Sequence, residues 1–298
     1  MEHDNQPRVS IRNRIAGAPI SWGVSEVPGW GYQLESDRVL AEMAMIGLAA
    51  TEFGPVGFLP DDPVARAQAL TDHGLRAVGG FLPILLHDHN YDPLPVADRF
   101  VDSCLASGAQ VMVLAAFTGV AGYDARPVLD QIGWTAMLSN LDRVNDLAGD
   151  RGIAACLHPH IGTMVERGED VERVMQGSVV DLCVDTGHLA AGGADPVAIT
   201  AAYAERVSHV HLKDVDMTMA RQVFCGDLPF GVAVEAGMFR PLGDGDIDIA
   251  TLVGTLEATG YSGWYVLEQD VMLAAAPTGP GPAGDVRRSL DFLREVAG

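Results

Sequence analysis

The sequence has few basic residues for its length. Its 298 residues include 19 Lys and Arg against 40 Asp and Glu, so the formal net charge is −21. A surface of this charge repels phosphate backbones and anionic lipids, which makes a nucleic acid or a membrane a poor partner. The shortage of cations also disfavours a phosphorylated substrate, although one well-placed arginine would reopen that option.

Paired cysteines, long apolar runs and a secretory leader are also missing. Cys104, Cys156, Cys183 and Cys225 show no CxxC spacing, so we expect buried, reduced thiols rather than a zinc–thiolate site. No apolar run reaches the roughly 18 residues that a membrane span needs. The polar start, MEHDNQPRVSIRNR, lacks the apolar region of a signal peptide. These absences predict a soluble cytoplasmic protein.

Short apolar runs alternate with longer helical patterns along the chain. Strands are predicted at 15–21, 49–53, 76–84, 111–116, 153–158, 179–185, 207–212 and 264–269. Helices are predicted at 36–47, 63–73, 95–107, 127–149, 167–176, 196–205, 247–259 and 283–296. Asp62-Pro63 and Asp195-Pro196 are typical helix starts. The longest unassigned stretch, 213–246, is predicted to be a loop over the active site.

This alternation predicts an α/β fold with a parallel sheet. Eight β–α units favour a single (β/α)8 TIM barrel domain over residues 1–298, with 1–13 as a flexible N-terminal extension. A Rossmann-type fold is the alternative, but no G-x-G-x-x-G follows the first strand.

Ionisable residues stand where the last four predicted strands end. Chemistry in a TIM barrel takes place at the carboxyl ends of the strands. His158, Asp185, His211 and Glu268 occupy four such ends in succession. Imidazoles and carboxylates together suit a divalent ion such as Mn²⁺, Co²⁺, Mg²⁺ or Zn²⁺. Each residue alone could be a buried histidine or a helix cap, but the set of four predicts a metal site.

Two residues beside these candidate ligands can move protons. His160 lies two residues after His158, so both side chains point the same way if the strand continues. Lys213 lies two residues after His211 and is expected to point into the same barrel mouth. An ammonium there can donate to a developing enolate or alkoxide, or it can form a salt bridge.

Three further residues are candidates for contact with substrate. His188 could contact substrate or hydrogen-bond a ligand carboxylate. Glu52, at the end of the second strand, could hold a hydroxyl, act as a base or pair with a buried cation. Trp22 follows the first strand, where an aromatic wall would suit the C–H face of a sugar, although loop packing would also explain it.

These residues lie in segments that resemble the xylose isomerase-like TIM barrels, the sugar isomerase and epimerase superfamily. The most specific blocks are LHPHIGTMVERGEDVERVM, VDLCVDTGHLAAGGADP, RVSHVHLKDVD, FRPLGDGDID and GYSGWYVLEQD. Nearer the amino terminus, APISWGVSEVPGWGYQL and TEFGPVGFLP are similar to the inosose dehydratases of myo-inositol catabolism. The resemblance covers nearly the whole chain. It implies a metal held by strands five to eight and a neutral polyol or keto-sugar substrate.

The fifth strand departs from the epimerases of that superfamily. They usually carry a metal-bound glutamate where this chain has His158, and two such glutamates remove and return a proton on opposite faces of the sugar. Loss of one carboxylate weakens the epimerase interpretation. Dehydration needs a base for the proton α to the ketone and an acid for the departing β-hydroxyl. His160, Glu268 and Lys213 are the candidates, and the sequence does not assign the two roles among them.

The sequence therefore predicts a metal-dependent hydro-lyase that dehydrates an inosose or a similar neutral cyclic keto-polyol, with Mn²⁺ or Co²⁺ as the preferred ion. Two alternatives stay open: a keto-sugar or inosose isomerase or epimerase at the same site, and a barrel that binds polyol without turnover. A divalent-metal endonuclease conflicts with the net charge of −21. A homodimer or homotetramer is a further expectation, since barrels of this kind often pair.

Overall fold

Parallel strands alternate with helices in the computed structural model, which describes residues 9–120, 122–124 and 126–297. The barrel strands are Ile15–Gly17, Ala50–Thr51, Arg76–Ala77 with Gly79–Leu85, Val111–Phe117, Ala154–Leu157, Asp181–Asp185, Val207–Leu212 and Tyr265–Leu267. Their pairings are all parallel. Strands that follow one another in sequence are neighbours in the sheet. The predicted TIM barrel is confirmed.

Val78 joins the two pieces of the third barrel strand. Arg76–Ala77 pairs with the second strand, whereas Gly79–Leu85 pairs with the fourth. The backbone N–H of Val78 donates to Thr51 O at 3.0 Å, and its carbonyl accepts from Gln110 N at 3.0 Å. Because Val78 bonds to both neighbours, the two pieces act as one strand and complete a nearly closed ring.

The outer helices match the predicted ones closely. They span Ser36–Ile46, Pro63–Asp72, Leu94–Ser107, Gln131–Gly149, Gly168–Gly177, Pro196–Tyr203, Ile249–Thr259 and Pro282–Val296. Asp62 and Asp195 accept backbone N–H bonds at two helix starts, each followed by proline, as predicted. The helix predicted from residue 127 begins later because Asp130 caps it. A short helix that was not predicted, Thr186–Ala191, follows the sixth strand.

Each outer helix buries one face against the barrel. In Pro282–Val296, Val286, Leu290 and Leu293 recur at the spacing of one helical face and are at most 2% exposed. Burial of one such side chain stabilises the fold by about 1.5–3 kcal/mol. The core therefore lies between the sheet and the ring of helices and holds the strand ends in fixed positions.

Three of the four cysteines, Cys104, Cys156 and Cys183, are buried free thiols, as expected. Cys225 is an exposed free thiol, which corrects the expectation of burial for that residue. Within the described residues, no helix combines the length and apolar character needed to span a bilayer.

The 213–246 segment connects the seventh barrel strand to the next outer helix, as predicted, but it is folded rather than irregular. It contains a short antiparallel ribbon, Asp214–Val215 with Phe239–Arg240, and two helices, Met217–Cys225 and Phe230–Glu235. The Asp216 side chain accepts two backbone N–H bonds at the start of the first helix. The segment is ordered because such caps replace the hydrogen bonds that a loop would make with water.

One buried carboxylate fixes the return of this segment to the barrel. Asp214 is fully buried. Its two oxygens accept the backbone N–H groups of Val215, Gly243, Gly245 and Ile247 at distances from 2.9 to 3.1 Å. The four bonds compensate for the burial of the charge.

Residues 1–8 of the predicted N-terminal extension lie outside the described residues. Ile11–Asn13 forms a 3₁₀ helix, and Ile11 is part of the main apolar core. The Arg12 guanidinium donates to Arg294 O at 3.1 Å. Ile11 therefore anchors this segment to the core, whereas Val9, Ser10, Arg12 and Asn13 are exposed, and the flexibility of the extension stays a prediction.

Candidate metal and active site

The four predicted ligands converge at the carboxyl ends of strands five to eight. His158 Nε2 lies 3.0 Å from Asp185 Oδ2. His211 Nδ1 lies 3.6 Å from the same Asp185 oxygen and 2.6 Å from Glu268 Oε2. One ligand atom of each residue lies within 4.8 Å of the others. Three of these side chains are at most 2% exposed, and that of Glu268 is 12% exposed. The structure therefore brings together the set that the strand ends predicted.

The Asp185-Thr186-Gly187 turn places Asp185 beside Lys213. Asp185 Oδ1 caps the short helix that follows by accepting a backbone N–H at 2.8 Å, which leaves Oδ2 facing the cluster. Thr186 Oγ1 donates to Lys213 O at 2.5 Å and accepts from Lys213 N at 2.8 Å. A Cβ on Gly187 would lie 2.6 Å from Lys213 Cβ, so a larger residue would push the lysine away.

A buried glutamate orients His211. Glu52 Oε1 lies 3.0 Å from His211 Nε2 and 2.8 Å from His209 Nε2. Because a carboxylate only accepts, both Nε2 atoms donate, and His211 Nδ1 is left for the cluster. Burial alone would raise the pKa of Glu52, but its interactions with His211 and His209 hold that pKa below its ordinary value. The sequence did not reveal this positioning role. Glu52 also borders the cavity described below, where contact with substrate stays a prediction.

Lys213 is a buried cation surrounded by carboxylates. Its Nζ lies 3.0 Å from Asp185 Oδ2, 3.2 Å from Glu268 Oε2 and 3.0 Å from Asp270 Oδ1. Burial alone would lower the pKa of Lys213, but the three acids raise it well above its ordinary value. Asp270 was not predicted. Its place two residues after Glu268 was the available signal, since residues two apart in extended chain share a face.

The two acids that follow the eighth strand have different protonation preferences. Burial raises the pKa of Asp270 to about 6, with Lys213 opposing this shift and Glu268 and Asp185 adding to it. Burial would also raise the pKa of Glu268, but His211 and Lys213 lower it to about 2. Acids that lie close together and titrate apart are typical of active sites.

His160 faces the cavity and stacks on His188. Their ring centroids are 3.7 Å apart, and the ring planes differ by 35°. His160 Nδ1 lies 2.7 Å from Ile161 O, so Nδ1 donates and Nε2 is free to accept a proton. Burial, followed by the charges of His158 and Lys213, lowers the pKa of His160 to about 3. The imidazole is therefore neutral.

His188 supports His160 from behind. It is fully buried, and both of its ring nitrogens lack a hydrogen-bond partner among the described residues. Its side chain does not border the cavity in the part of the chain that the structure describes. Contact between His188 and substrate therefore stays a prediction, and the structure shows His188 stacked on His160.

A cavity of about 470 Å³ opens beside the cluster. At the end of the cavity that meets the cluster, the polar lining residues are Glu52, His158, His160, Lys213, Glu268 and Asp270. Trp30, Phe81 and Tyr123 form aromatic walls. The Phe81 ring lies 5.8 Å from that of His158, and the Tyr123 ring lies 5.7 Å from that of His160. The cavity thus combines flat apolar faces with a few converging polar groups, as small-molecule sites do.

Trp22 is not part of these walls. The first strand ends at Gly17, and Pro19–Trp22 forms a 3₁₀ helix instead of the predicted strand to residue 21. Trp22 is fully buried, and its indole N–H donates to Glu42 at 2.8 Å. The prediction that Trp22 binds substrate is wrong, because the helical turn directs it into the core. Trp30, and not Trp22, lines the cavity in the described residues.

The donor set fits a divalent ion. Two atoms that each lie about 2.1 Å from one ion are at most about 4.2 Å apart. The separations of 2.6, 3.0 and 3.6 Å fall within that limit. His211 Nδ1 and Glu268 Oε2 are buried 2.6 Å apart, and with the His211 proton on Nε2 both atoms are acceptors that do not satisfy each other. An ion would satisfy such atoms. The group could therefore hold a divalent ion through two imidazoles and two carboxylates.

Comparison with known proteins places this geometry in context. The model of the xylose isomerase-like TIM barrel family matches residues 40–296. An inosose dehydratase of Geobacillus kaustophilus is 33% identical over 270 residues, which cover 86% of this chain and 87% of that protein. The rhizopine catabolism protein MocC of Rhizobium meliloti is 34% identical over 271 residues, which cover 86% of this chain and 81% of MocC.

A solved structure shows the same fold at lower identity. The crystal structure of the IolI protein with a binding zinc atom covers 95% of this chain and 98% of its own. The TM-score is 0.68 and the identity is 14%, so this likeness concerns the fold alone.

Proposed function

This chain belongs to the xylose isomerase-like TIM barrel family and is an enzyme, and from that premise we propose that it is a metal-dependent dehydratase of an inosose or a similar neutral cyclic keto-polyol. The observation that carries the proposal is the contact of the four-donor cluster with Lys213 beside the cavity. Similarity to inosose dehydratases supports the reaction. The four-donor group of this chain supports a metal, and Mn²⁺ or Co²⁺ is the ion expected here.

The cavity suits a polyhydroxylated ring. Trp30, Phe81 and Tyr123 offer flat surfaces for ring C–H groups, and the polar residues beside them can bind hydroxyls. Arg66 and Arg99 also line the cavity, but they belong to outer helices. Arg66 already donates to a serine hydroxyl at 2.6 Å and to a backbone carbonyl at 3.1 Å. A neutral ketone therefore suits the inner part of the site better than a phosphorylated sugar.

His160 is the proposed base. Its Nδ1 is engaged with a backbone carbonyl, so Nε2 is the atom that accepts the proton α to the ketone. The C–H bond breaks, and its electron pair passes toward the ketone oxygen to give an enolate. Stacking on His188 fixes the ring plane in which the proton must approach.

Lys213 is the proposed acid. As the enolate collapses, the β C–O bond breaks with its electron pair on oxygen, and the ammonium supplies the proton that makes the leaving group water. The organic product is the enol of a diketone, and His160 and Lys213 return to their starting states by exchange with solvent. A divalent ion bound to His158, Asp185, His211 and Glu268 would polarise the ketone oxygen and lower the cost of the enolate.

An inosose or keto-sugar epimerase is the second candidate. Glu268 and His160 both border the cavity, so two proton acceptors are available to a bound ring. An epimerase would remove a proton with one of them and return it with the other, without loss of water.

Mass spectrometry in heavy water separates the two functions. Scyllo-inosose is incubated with the Mn²⁺-loaded protein, and the mass of the product is measured. Loss of the mass of one water supports the dehydratase. Uptake of one deuterium without loss of water supports the epimerase. An unchanged mass would contradict both for this substrate, and other cyclic ketones would be tested next.

A further inference from the structure

Lys213 contacts two carboxylate oxygens that a bound metal ion would also use. Its partners Asp185 Oδ2 and Glu268 Oε2, at 3.0 and 3.2 Å, are atoms of the proposed metal ligands. A divalent cation beside those oxygens would repel the ammonium, and at such short distances in a buried site this repulsion is strong. The lysine therefore needs a partner outside the ligand set when the ion is bound.

Asp270 is placed to be that partner. Its Oδ1 lies 3.0 Å from Lys213 Nζ, and its side chain is 6% exposed. Asp270 does not belong to the four-donor group. Its other oxygen lies 3.8 Å from His188 Nε2, which is too far for a hydrogen bond, so Lys213 is the cation that this carboxylate holds.

Asp270 also separates two cavities. It lines the cavity beside the cluster and a second, more polar one of about 530 Å³ that the 213–246 segment forms with the end of the eighth strand. Solvent in the second cavity can hydrate the carboxylate from the side away from Lys213. Asp270 can therefore carry a negative charge without drawing an oxygen from the ligand cluster.

We propose that Asp270 is a positioning residue for Lys213. It holds the ammonium against the cavity when an ion binds Asp185 and Glu268, and it thereby prevents Lys213 from competing with that ion for their oxygens. The inference rests on the proposed metal-dependent function. It adds the expectation that loss of Asp270 weakens metal binding only when Lys213 is present.

Calorimetric titration of metal-stripped protein with Mn²⁺ tests this dependence. Four proteins are compared: the parent, Asp270→Asn, Lys213→Met and the double variant. Asp270→Asn should bind Mn²⁺ about tenfold more weakly than the parent, an effect within the range for residues of one salt-bridge network. The double variant should bind as Lys213→Met alone does, because no ammonium is left to compete.

Two results would overturn the proposal. One is an unchanged Mn²⁺ affinity in Asp270→Asn. The other is the same loss of affinity with and without Lys213, which would show that only the lost negative charge matters. Asp270→Glu keeps the charge and should recover part of the affinity. Glu235→Gln removes one charge from the lining of the second cavity without touching Lys213, and its affinity should equal that of the parent.

Kinetics give a second readout. Asp270→Asn should lower kcat about a hundredfold at saturating Mn²⁺, as expected for a displaced catalytic group, with little change in KM. Mn²⁺ binding with the predicted coupling but without loss of water would refute only the proposed reaction. Loss of water without coupling would refute only the role of Asp270. A parent protein that binds no Mn²⁺, Co²⁺ or Zn²⁺ would refute both.

Discussion

Two buried cations lie at opposite ends of the barrel, and the protein surrounds them differently. At the amino end, Arg14 Nη2 donates to both carboxylate oxygens of Glu257, at 2.7 and 2.9 Å. Its other nitrogens donate to three backbone carbonyls at 3.0 to 3.2 Å. At the carboxyl end, Lys213 has three carboxylates within 3.2 Å, and both ring nitrogens of the nearby His188 have no hydrogen-bond partner among the described residues.

The difference separates a cation whose hydrogen bonds are all made within the protein from one whose surroundings suit a ligand. Arg14 spreads its hydrogen bonds over one acid and neutral carbonyls, so nothing is left for a ligand. The surroundings of Lys213 hold an excess of negative charge and unsatisfied atoms, which a stable core would avoid. A divalent ion and a polar substrate would remove that imbalance. This contrast agrees with the general rule that the carboxyl end of a TIM barrel carries chemistry and the amino end carries stability.

The largest effect is expected from Asp185→Ala. This change removes the oxygen shared by His158 and Lys213 and should abolish both metal binding and turnover, because a four-donor site loses its central member. Elemental analysis of the purified variant checks the metal. A full equivalent of metal would remove Asp185 from the ligand set.

Lys213→Ala should keep the metal and lose most of the activity. The ligand atoms remain, but the proposed acid is gone, so kcat should fall by about a thousandfold, as for other lost transition-state donors. Steady-state kinetics and metal content are measured together. An unchanged kcat would show that Lys213, like Arg14, is a structural cation, and the proposed difference between the two ends of the barrel would be wrong.

Arg14→Met should have the opposite effect, lower stability with an unchanged site. It removes the ion pair with Glu257 and three hydrogen bonds to backbone carbonyls, and it should lower the free energy of unfolding by about 3 kcal/mol. The folded fraction should keep its metal and its KM. Urea denaturation measures the first quantity. A stable variant with impaired metal binding would show that the amino end also serves the site.

Asp214→Asn tests whether an acid at the carboxyl end can be purely structural. The amide keeps one acceptor oxygen but turns an NH₂ group toward backbone N–H groups, so we expect a loss of about 2 kcal/mol. Asp216→Asn, at a more exposed cap, is the matched control and should cost less. Equal stability of the two variants would contradict the importance assigned to Asp214.

The smallest effect is expected from Trp22→Phe. Loss of the hydrogen bond to Glu42 should cost about 1 kcal/mol and leave KM unchanged. Trp30→Ala, by contrast, should raise KM because it removes a cavity wall. A raised KM in Trp22→Phe would restore the substrate contact that the structure argues against.

Sequence patterns were sufficient for the barrel and for the meeting of the four candidate ligands. Parallel strands in a closed ring end at one face, so residues at successive strand ends must meet whatever the loops do. The approach of His158 to Asp185 follows from the order of their two strands alone. Their roles as ligands, the identity of the ion and the oligomeric state stay predictions.

Features that depend on backbone outside the strands were missed. Trp22 turns into the core because Pro19 begins a helical turn, which alternation along a strand cannot show. The sequence carries two signals for the helix Met217–Cys225, the capping residue Asp216 and the terminal Gly226. They were not recognised because this helix lies outside the regular alternation of barrel strands and outer helices. The spacing of Asp270 from Glu268 placed it on the same face of the chain, but only the structure shows its contact with Lys213.

The dependence of water loss on the metal tests the central claim most directly. The protein is stripped with a chelator, the conversion of scyllo-inosose is followed by mass spectrometry, and Mn²⁺ is then added back. The account predicts no loss of water from the stripped protein and recovery on addition of Mn²⁺. Full dehydration by the stripped protein would contradict it, because the cluster at the carboxyl end would then not work as a metal site.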